Sequence, residues 1–221
     1  LTRAGAVVEE DVERQTAERW PTRNLASDPS ASGTQPNNTE LLAITRDLMP
    51  GRVEIMFQVR LRVSVNGWDL SGVADIIRLE RRDDGQLDLL VADMKATTTE
   101  KIEHRLQVAF YREMLLTLFA NAGVPVREVA IGILYRGAAN AVEPADENER
   151  ERLERERAAA EQVFGVSNAF LDVIANAEAY DYEVRALVTG TDSVADQVSA
   201  QPFADIPWHL TYKCDGCLYN E

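Results

Sequence analysis

The segment "SGVADIIRLERRDDGQLDLLVADMKA", residues 71–96, places charged residues inside runs of apolar residues that are typical of buried strands. Asp75 interrupts the first run, and Asp93 and Lys95 interrupt the second. Side chains two residues apart in a strand point to the same face of a sheet, so Asp93 and Lys95 share a face. The segment therefore predicts two strands that carry charged groups into the core of a sheet.

The turn between these strands predicts where the charges meet. A three-residue turn at 83–85 would pair Asp75 directly with Asp93. Two carboxylates about 5 Å apart repel each other and destabilise a sheet. A divalent cation between them would offset that repulsion, and carboxylate oxygens suit Mg²⁺ or Mn²⁺. The alternative is that both acids lie at exposed strand ends, with Lys95 in a simple salt bridge. Two acids, a Lys on the same face and apolar flanks together favour the metal site.

The rest of the chain predicts an α/β protein. Three strands form an antiparallel meander, with the dipeptide "NG" at 66–67 as a hairpin turn between the first two. The predicted elements are, in order, a helix at 3–20, a long mobile loop at 21–38, a helix at 39–48 capped by Thr39, strands at 53–65, 68–82 and 86–96, a helix at 101–121, a strand at 126–136, a charged helix from about 148 into the 170s, and an irregular stretch from about 181.

Composition bounds the possible functions. The 221 residues suit one large domain or a domain with an appendage, and the net charge of −14 disfavours non-specific binding to nucleic acid. No run of eighteen apolar residues predicts a membrane span, and the N-terminus turns acidic too early for a signal peptide. With two cysteines in the chain, we expect a cytoplasmic protein.

Three motifs in order resemble the RecB-like branch of the PD-(D/E)XK nucleases. They are "GVAD" with Asp75, "ADMK" with Asp93 and Lys95, and "QVAFY" with Gln107 and Tyr111. The resemblance covers about residues 3–136. It implies a restriction-endonuclease-like core, in which a central mixed sheet, an antiparallel meander plus a fourth strand, is flanked by helices.

The resemblance also implies roles for individual residues. Asp75 and Asp93, with the backbone carbonyl of Met94, would bind Mg²⁺ or Mn²⁺, and Lys95 would act on the attacking water or on the phosphate. The family places an acid four residues after a Gly in an upstream helix, which fits Glu9; Glu10 is the rival, and both could be solvated.

Gln107 and Tyr111 lie one helical turn apart and would orient the Lys or hold the DNA backbone, unless Tyr111 belongs to the core. His104, three residues before Gln107, would contact a phosphate or face solvent.

The motif "CDGC" brings Cys214 and Cys217 together near the end of the chain. Such a pair fits a redox site, half a zinc site or two buried thiols. It also resembles the C-terminal end of CRISPR adaptation nucleases and helicase–nuclease subunits, which bind a [4Fe–4S] cluster through four Cys. With two Cys here, a cluster would need a longer chain. We therefore divide the sequence into a nuclease domain at 1–180 and a C-terminal segment at 181–221.

These expectations converge on a metal-dependent nuclease that hydrolyses phosphodiester bonds of single-stranded DNA or duplex ends, in DNA repair, recombination or defence. Further domains or a helicase are expected partners, and a membrane is not. The alternative is a catalytically inactive nuclease-like module that binds DNA or acts as a scaffold in a larger protein. A third interpretation is a soluble α/β domain whose motif matches are accidental.

Overall fold

The computed structural model describes residues 3–26, 35–96, 102–136, 144, 146–202 and 205. The helices are α1 (Arg3–Arg19), α2 (Asn38–Asp47), α3 (Ile102–Asn121), α4 (Glu147–Phe164), α5 (Ala177–Val184) and α6 (Val194–Ser199), with one π-helical turn at Arg185–Thr189. The strands are β1 (Thr22–Asn24), β2 (Val53–Val65), β3 (Trp68–Arg81), β4 (Leu87–Lys95), β5 (Val126–Tyr135) and β6 (Phe170–Val173). No helix of the described ranges is long and apolar enough to cross a membrane.

The six strands form one mixed sheet in the order β1 to β6. Strands β2, β3 and β4 form the predicted antiparallel meander, and β5 runs parallel to β4. Parallel neighbours need a crossover connection, and α3 supplies it between β4 and β5. The observed α/β architecture confirms the predicted restriction-endonuclease-like core.

Turn chemistry sets the register of the meander. Asn66 and Gly67 have φ values of 50° and 89°, as a two-residue hairpin turn with two left-handed positions requires. The next turn pairs β3 with β4 from Arg81↔Leu87 to Ile76↔Ala92, which confirms the register predicted from the sequence.

The sheet has an apolar core on each face. Helix α3 packs on one face, where Val108, Leu115 and Phe119 are fully buried. Helices α1 and α4 cover the other face through Val12 and Phe164, which are also fully buried. Each strand between these layers buries alternate side chains on opposite faces, so β2 to β5 read as nearly continuous apolar runs.

The alternation changes phase at one point on β2 and on β3. Side chains on the α3 side of a regular strand are an even number of residues apart along the chain. In each of these strands, however, two successive α3-side residues are three positions apart. These pairs are Met56 and Val59 on β2, and Ala74 and Ile77 on β3. Gln58 lies between the first two residues and Asp75 between the second two. Gln58 and Asp75 lie opposite each other in the hairpin, but the regular strand pairing skips both of them. Both strands are therefore irregular where the charged site begins.

Two predictions about the N-terminal third were wrong. The loop expected at 21–38 contains strand β1, which pairs in parallel with β2 and is too short to show a periodic pattern. The predicted helix start at Thr39 is also displaced, because Asn37 occupies the cap position. Asn37 exchanges hydrogen bonds with the backbone of Arg60, which attaches the start of α2 to β2.

The C-terminal third differs more from its prediction. Helix α4 ends at Phe164 instead of the 170s, because Gly165 adopts φ 76° and closes the helix. Strand β6 follows and pairs with β5 at the sheet edge. The stretch from 181, expected to be irregular, contains the end of α5, the π-helical turn and α6.

Candidate active site

The two acids singled out in the sequence come together where the pairing of β3 with β4 ends. Asp75 lies one residue beyond Ile76, the last regularly paired position on β3. Its Oδ2 accepts a hydrogen bond from the backbone N–H of Met94, at 2.7 Å. The Asp75 and Asp93 carboxyl groups lie within reach of each other, so that a proton on either one would join them by a hydrogen bond. The pair therefore favours one protonated and one ionised carboxyl group over two ionised ones.

Burial governs the electrostatics of this pair. Loss of solvent raises the pKa of Asp75 to about 7, and the hydrogen bond and negative charge of Asp93 act in the same direction. The Met94 N–H and the Lys95 ammonium oppose the shift. Asp93 itself is 1% exposed. Two carboxyl groups held this way favour any positive charge placed between them.

Lys95 lies at the edge of the same cluster. Its ammonium forms an ion pair with Oδ2 of Asp93, while 24% of the Lys95 side chain remains exposed. The Lys95 ammonium therefore already holds this buried carboxylate oxygen and lies between it and solvent.

Gln107 and Tyr111 of α3 connect Asp93 to the β3 backbone. The Tyr111 hydroxyl donates to the carbonyl of Val73 at 2.7 Å, and Nε2 of Gln107 donates to the Tyr111 oxygen at 3.2 Å. The same Nε2 lies 3.5 Å from Oδ1 of Asp93. Tyr111 is buried in the core, so its contribution is to orient Gln107.

Gly72 makes this arrangement sterically possible. A Cβ at that position would lie 2.6 Å from Cε1 of Tyr111 and 3.1 Å from its hydroxyl oxygen. Only a glycine lets the ring lie against β3 and reach the Val73 carbonyl. The Gly of "GVAD" and the Tyr of "QVAFY" are thus two halves of one packing contact.

Helix α1 brings a third carboxylate towards the pair. Glu9 is half-buried and accepts a hydrogen bond from Nε2 of Gln58, at 3.1 Å. Burial raises the pKa of Glu9, the negative charge of Asp75 adds to the increase, and Lys95 opposes it. Glu10, the rival considered from the sequence, is exposed. Glu9 is therefore the acid of this helix that interacts with the site.

The donor set around Asp75 and Asp93 is small for a divalent cation. No three His, Cys, Asp or Glu side chains of the described ranges converge into a ready-made metal cage. The Asp75–Asp93 pair nevertheless offers hard oxygen ligands, one of which, Oδ2 of Asp93, is paired with the Lys95 ammonium. The N–H and C=O of a strand residue point to the same side, so the Met94 carbonyl faces the side of β4 on which Asp75 lies. These groups are of the kind that could hold Mg²⁺ or Mn²⁺, and Glu9 is the candidate for a further ligand.

Some neighbours of the site were not identified from the sequence. Gln58 supports Glu9, and its one visible signal is a polar residue within the apolar run of β2. Arg136 donates its backbone N–H to the Lys95 carbonyl at 2.9 Å and forms an ion pair with Asp11 of α1. His104 is half-buried in α3. Cys214 and Cys217 lie outside the described residues.

Comparison with known proteins agrees with this geometry. No curated protein sequence matches the chain. The family model of the PD-(D/E)XK nuclease superfamily, whose members typically use Mg²⁺ or a similar divalent metal, matches residues 1–221. Because that match spans the whole sequence and accompanies a restriction-endonuclease-like core, the chain belongs to the PD-(D/E)XK nuclease superfamily.

Proposed function

We propose that this protein is a metal-dependent DNA nuclease of the RecB-like branch, acting in DNA repair, recombination or defence. The observation that carries the proposal is the pair of adjacent carboxyl groups, Asp75 and Asp93, beside the ammonium of Lys95. The expected product carries a 5′-phosphate. DNA, as single strands or duplex ends, is the proposed substrate, and further domains or a helicase are proposed partners.

Asp75, Asp93, Glu9 and the Met94 carbonyl are the groups that would hold Mg²⁺ or Mn²⁺. A cation there would lower the pKa of a water molecule and stabilise negative charge on the scissile phosphate. The protein contributes the orientation of its ligands: the Met94 N–H fixes Asp75, and Gln107 with Tyr111 fixes Asp93. Such supporting hydrogen bonds keep ligands in place before the cation arrives.

Lys95 is the side chain that we propose to bring a positive charge to the reaction, in addition to the metal. Its ammonium contacts Asp93 inside the site, and its partial exposure leaves it able to reach a phosphate oxygen. It would position or help deprotonate the attacking water, or neutralise charge that develops in the transition state. A positive group placed in advance needs no rearrangement at the moment of reaction.

Local charge supports DNA binding despite the net charge of −14. A groove of about 420 Å³ beside the site is lined by Arg60, Arg62 and Asp69, and Arg62 and Asp69 form an ion pair at 3.4 Å with about two thirds of each side chain exposed. We propose that the two Arg side chains bind the phosphate backbone on its way to Asp75.

The test is cleavage of end-labelled single- and double-stranded DNA with Mn²⁺ and with EDTA. We expect Mn²⁺-dependent cleavage by the wild type and a loss of about 10²–10³-fold in Lys95→Ala, with Mn²⁺ binding retained because a charged Lys has no lone pair for a metal. Arg155→Ala, at an exposed position of α4, is the matched control.

Two outcomes would refute the proposal. Wild-type protein that binds DNA but does not cut it, whichever divalent cation is added, would be the catalytically inactive module. Lys95→Ala protein that cuts at the wild-type rate would exclude the role given to Lys95.

We also propose that Cys214 and Cys217 supply half of the ligands of a [4Fe–4S] cluster, which needs about four. The 221-residue chain prepared without oxygen should then contain no stoichiometric iron, and a longer chain with additional Cys should contain it. Iron and sulfide analysis of both checks this. Stoichiometric iron in the 221-residue chain would show that other ligands complete the site.

A further inference from the structure

Gln58 has a backbone conformation that its residue type rarely adopts. Its φ is 54°, in the left-handed region, although it lies in the middle of strand β2. The other described non-glycine residues with positive φ are Asn66 and Asp192, whose short polar side chains tolerate it. Gln has no such advantage, and strain of this kind persists mainly where the surrounding structure needs it.

The bend at Gln58 coincides with the candidate active site. Gln58 lies opposite Asp75 in the hairpin, at the point where the alternation of both strands changes phase. In a regular strand its side chain would share the α3 face with Met56. Instead its Nε2 donates to Oε2 of Glu9 on α1, at 3.1 Å. The strained residue is therefore the one that connects α1 to the site.

We propose that Gln58 is a positioning residue, which holds the Glu9 carboxylate towards Asp75 and Asp93 so that Glu9 completes the cation site. The amide occupies one carboxylate oxygen of Glu9 and leaves the other for the metal, as supporting residues around metal ligands do. The inference rests on the proposed function, since the cation site is the one proposed above. Gln58 lies outside the three sequence motifs.

The alternative is that Gln58 serves only to bend the sheet. In that case any residue that tolerates a positive φ would replace it without consequence for the metal. Glycine adopts this conformation freely and has no side chain, so Gln58→Gly separates the two roles. Gln58→Asn retains an amide and tolerates positive φ, but its side chain is one methylene shorter.

The experiment measures Mn²⁺ affinity by calorimetry and the melting temperature of the metal-free protein. Gln58→Gly should melt at or above the wild-type temperature, because the strain is relieved, yet bind Mn²⁺ about 10- to 100-fold more weakly. Gln58→Asn should lose affinity similarly because it falls short of Glu9. Glu9→Ala should lose at least as much, and the double variant Glu9→Ala with Gln58→Gly should lose no more than Glu9→Ala alone.

The possible results separate the two proposals. A wild-type protein with no Mn²⁺ site would overturn the proposed function and this inference together. Wild-type binding with unchanged affinity in Gln58→Gly would overturn the inference alone. Losses that add in the double variant would show that Gln58 does not act through Glu9 and would also overturn it. If Gln58→Gly melted well below the wild type, the Gln58 side chain would have a structural role. That result would also overturn the inference.

Discussion

Helix α4 and the Asp75–Asp93 site both hold closely paired charges, but in opposite surroundings. On α4, Arg150 and Glu147 approach to 2.7 Å with 53% and 68% of their side chains exposed. At the site, Asp93 is 1% exposed and lies against a second carboxyl group, that of Asp75. Exposed pairs contribute about 0–1 kcal/mol, whereas uncompensated buried charges are costly. Ion pairs on the exposed face of α4 therefore change the free energy of unfolding little. The buried carboxyl pair inside the sheet lowers stability, and only a function explains why it is there.

The largest expected effect is a separation of activity from stability in Asp75→Asn. An amide can still accept the Met94 N–H bond and donate to Asp93, but it supplies no charge to a cation. We expect DNA cleavage to fall by about 10³-fold, while the metal-free protein melts at or above the wild-type temperature at pH 8. Cleavage assays and thermal unfolding check this. If activity and stability fell together, the pair would be a structural element like those on α4.

The second effect is a pH dependence centred on Asp75. Its folded pKa of about 7 exceeds the ordinary value of 3.8, so the stability that its proton contributes is present below about pH 4 and lost as the pH rises through 7. Cation binding displaces that proton, so Mn²⁺ affinity should fall about tenfold per pH unit below 7. Calorimetry and unfolding from pH 5 to 8 measure both slopes. Asp75→Asn should flatten both, and Glu147→Gln on α4 should change neither; equal slopes in all three proteins would contradict the assignment.

The third effect concerns the packing that supports the site. A Cβ in Gly72→Ala would overlap Tyr111, and overpacking costs about 1–3 kcal/mol. The melting temperature should fall by about 2–4 °C per kcal/mol, and less when Tyr111→Leu is present to remove the overlapping atoms. Ser71→Ala, at the neighbouring exposed position, is the matched control. Additive losses in the double variant would show that Gly72 and Tyr111 do not act on each other.

The smallest expected effect is the change in stability when an exposed ion pair on α4 is removed. Arg152 lies 3.6 Å from both Glu149 and Glu156, with 42% of its side chain exposed. Arg152→Ala should change the free energy of unfolding by less than about 0.5 kcal/mol and leave cleavage unaltered. Denaturant unfolding measures the difference. A loss comparable to that of Gly72→Ala would remove the contrast between the exposed and buried charges.

The elements that could be predicted are those whose sequence signals are local. The apolar runs of β2 to β4 and the turns at 66–67 and 83–85 determine the meander and its register, and hence the meeting of Asp75 and Asp93. Strands β1 and β6 have only three and four residues and depend on a neighbouring strand, so no periodicity reveals them.

Within the site, motif spacing predicted the groups that lie on neighbouring strands and one helix face. The contact between Gln58 and Glu9 joins residues 49 positions apart through a bend in β2, and no local pattern encodes it. The packing of Gly72 against Tyr111 is also visible only in three dimensions, although both residues belong to recognised motifs.

The most direct test of the central claim is the rate of cleavage of an end-labelled single strand as a function of Mn²⁺ concentration, for the wild type and Asp93→Asn. The wild-type rate should be zero in EDTA, rise to saturation with Mn²⁺ and give products with a 5′-phosphate, while Asp93→Asn should be about 10³-fold slower at every concentration. Cleavage that persists in EDTA, or that proceeds equally in Asp93→Asn, would contradict a nuclease built on the Asp75–Asp93 pair.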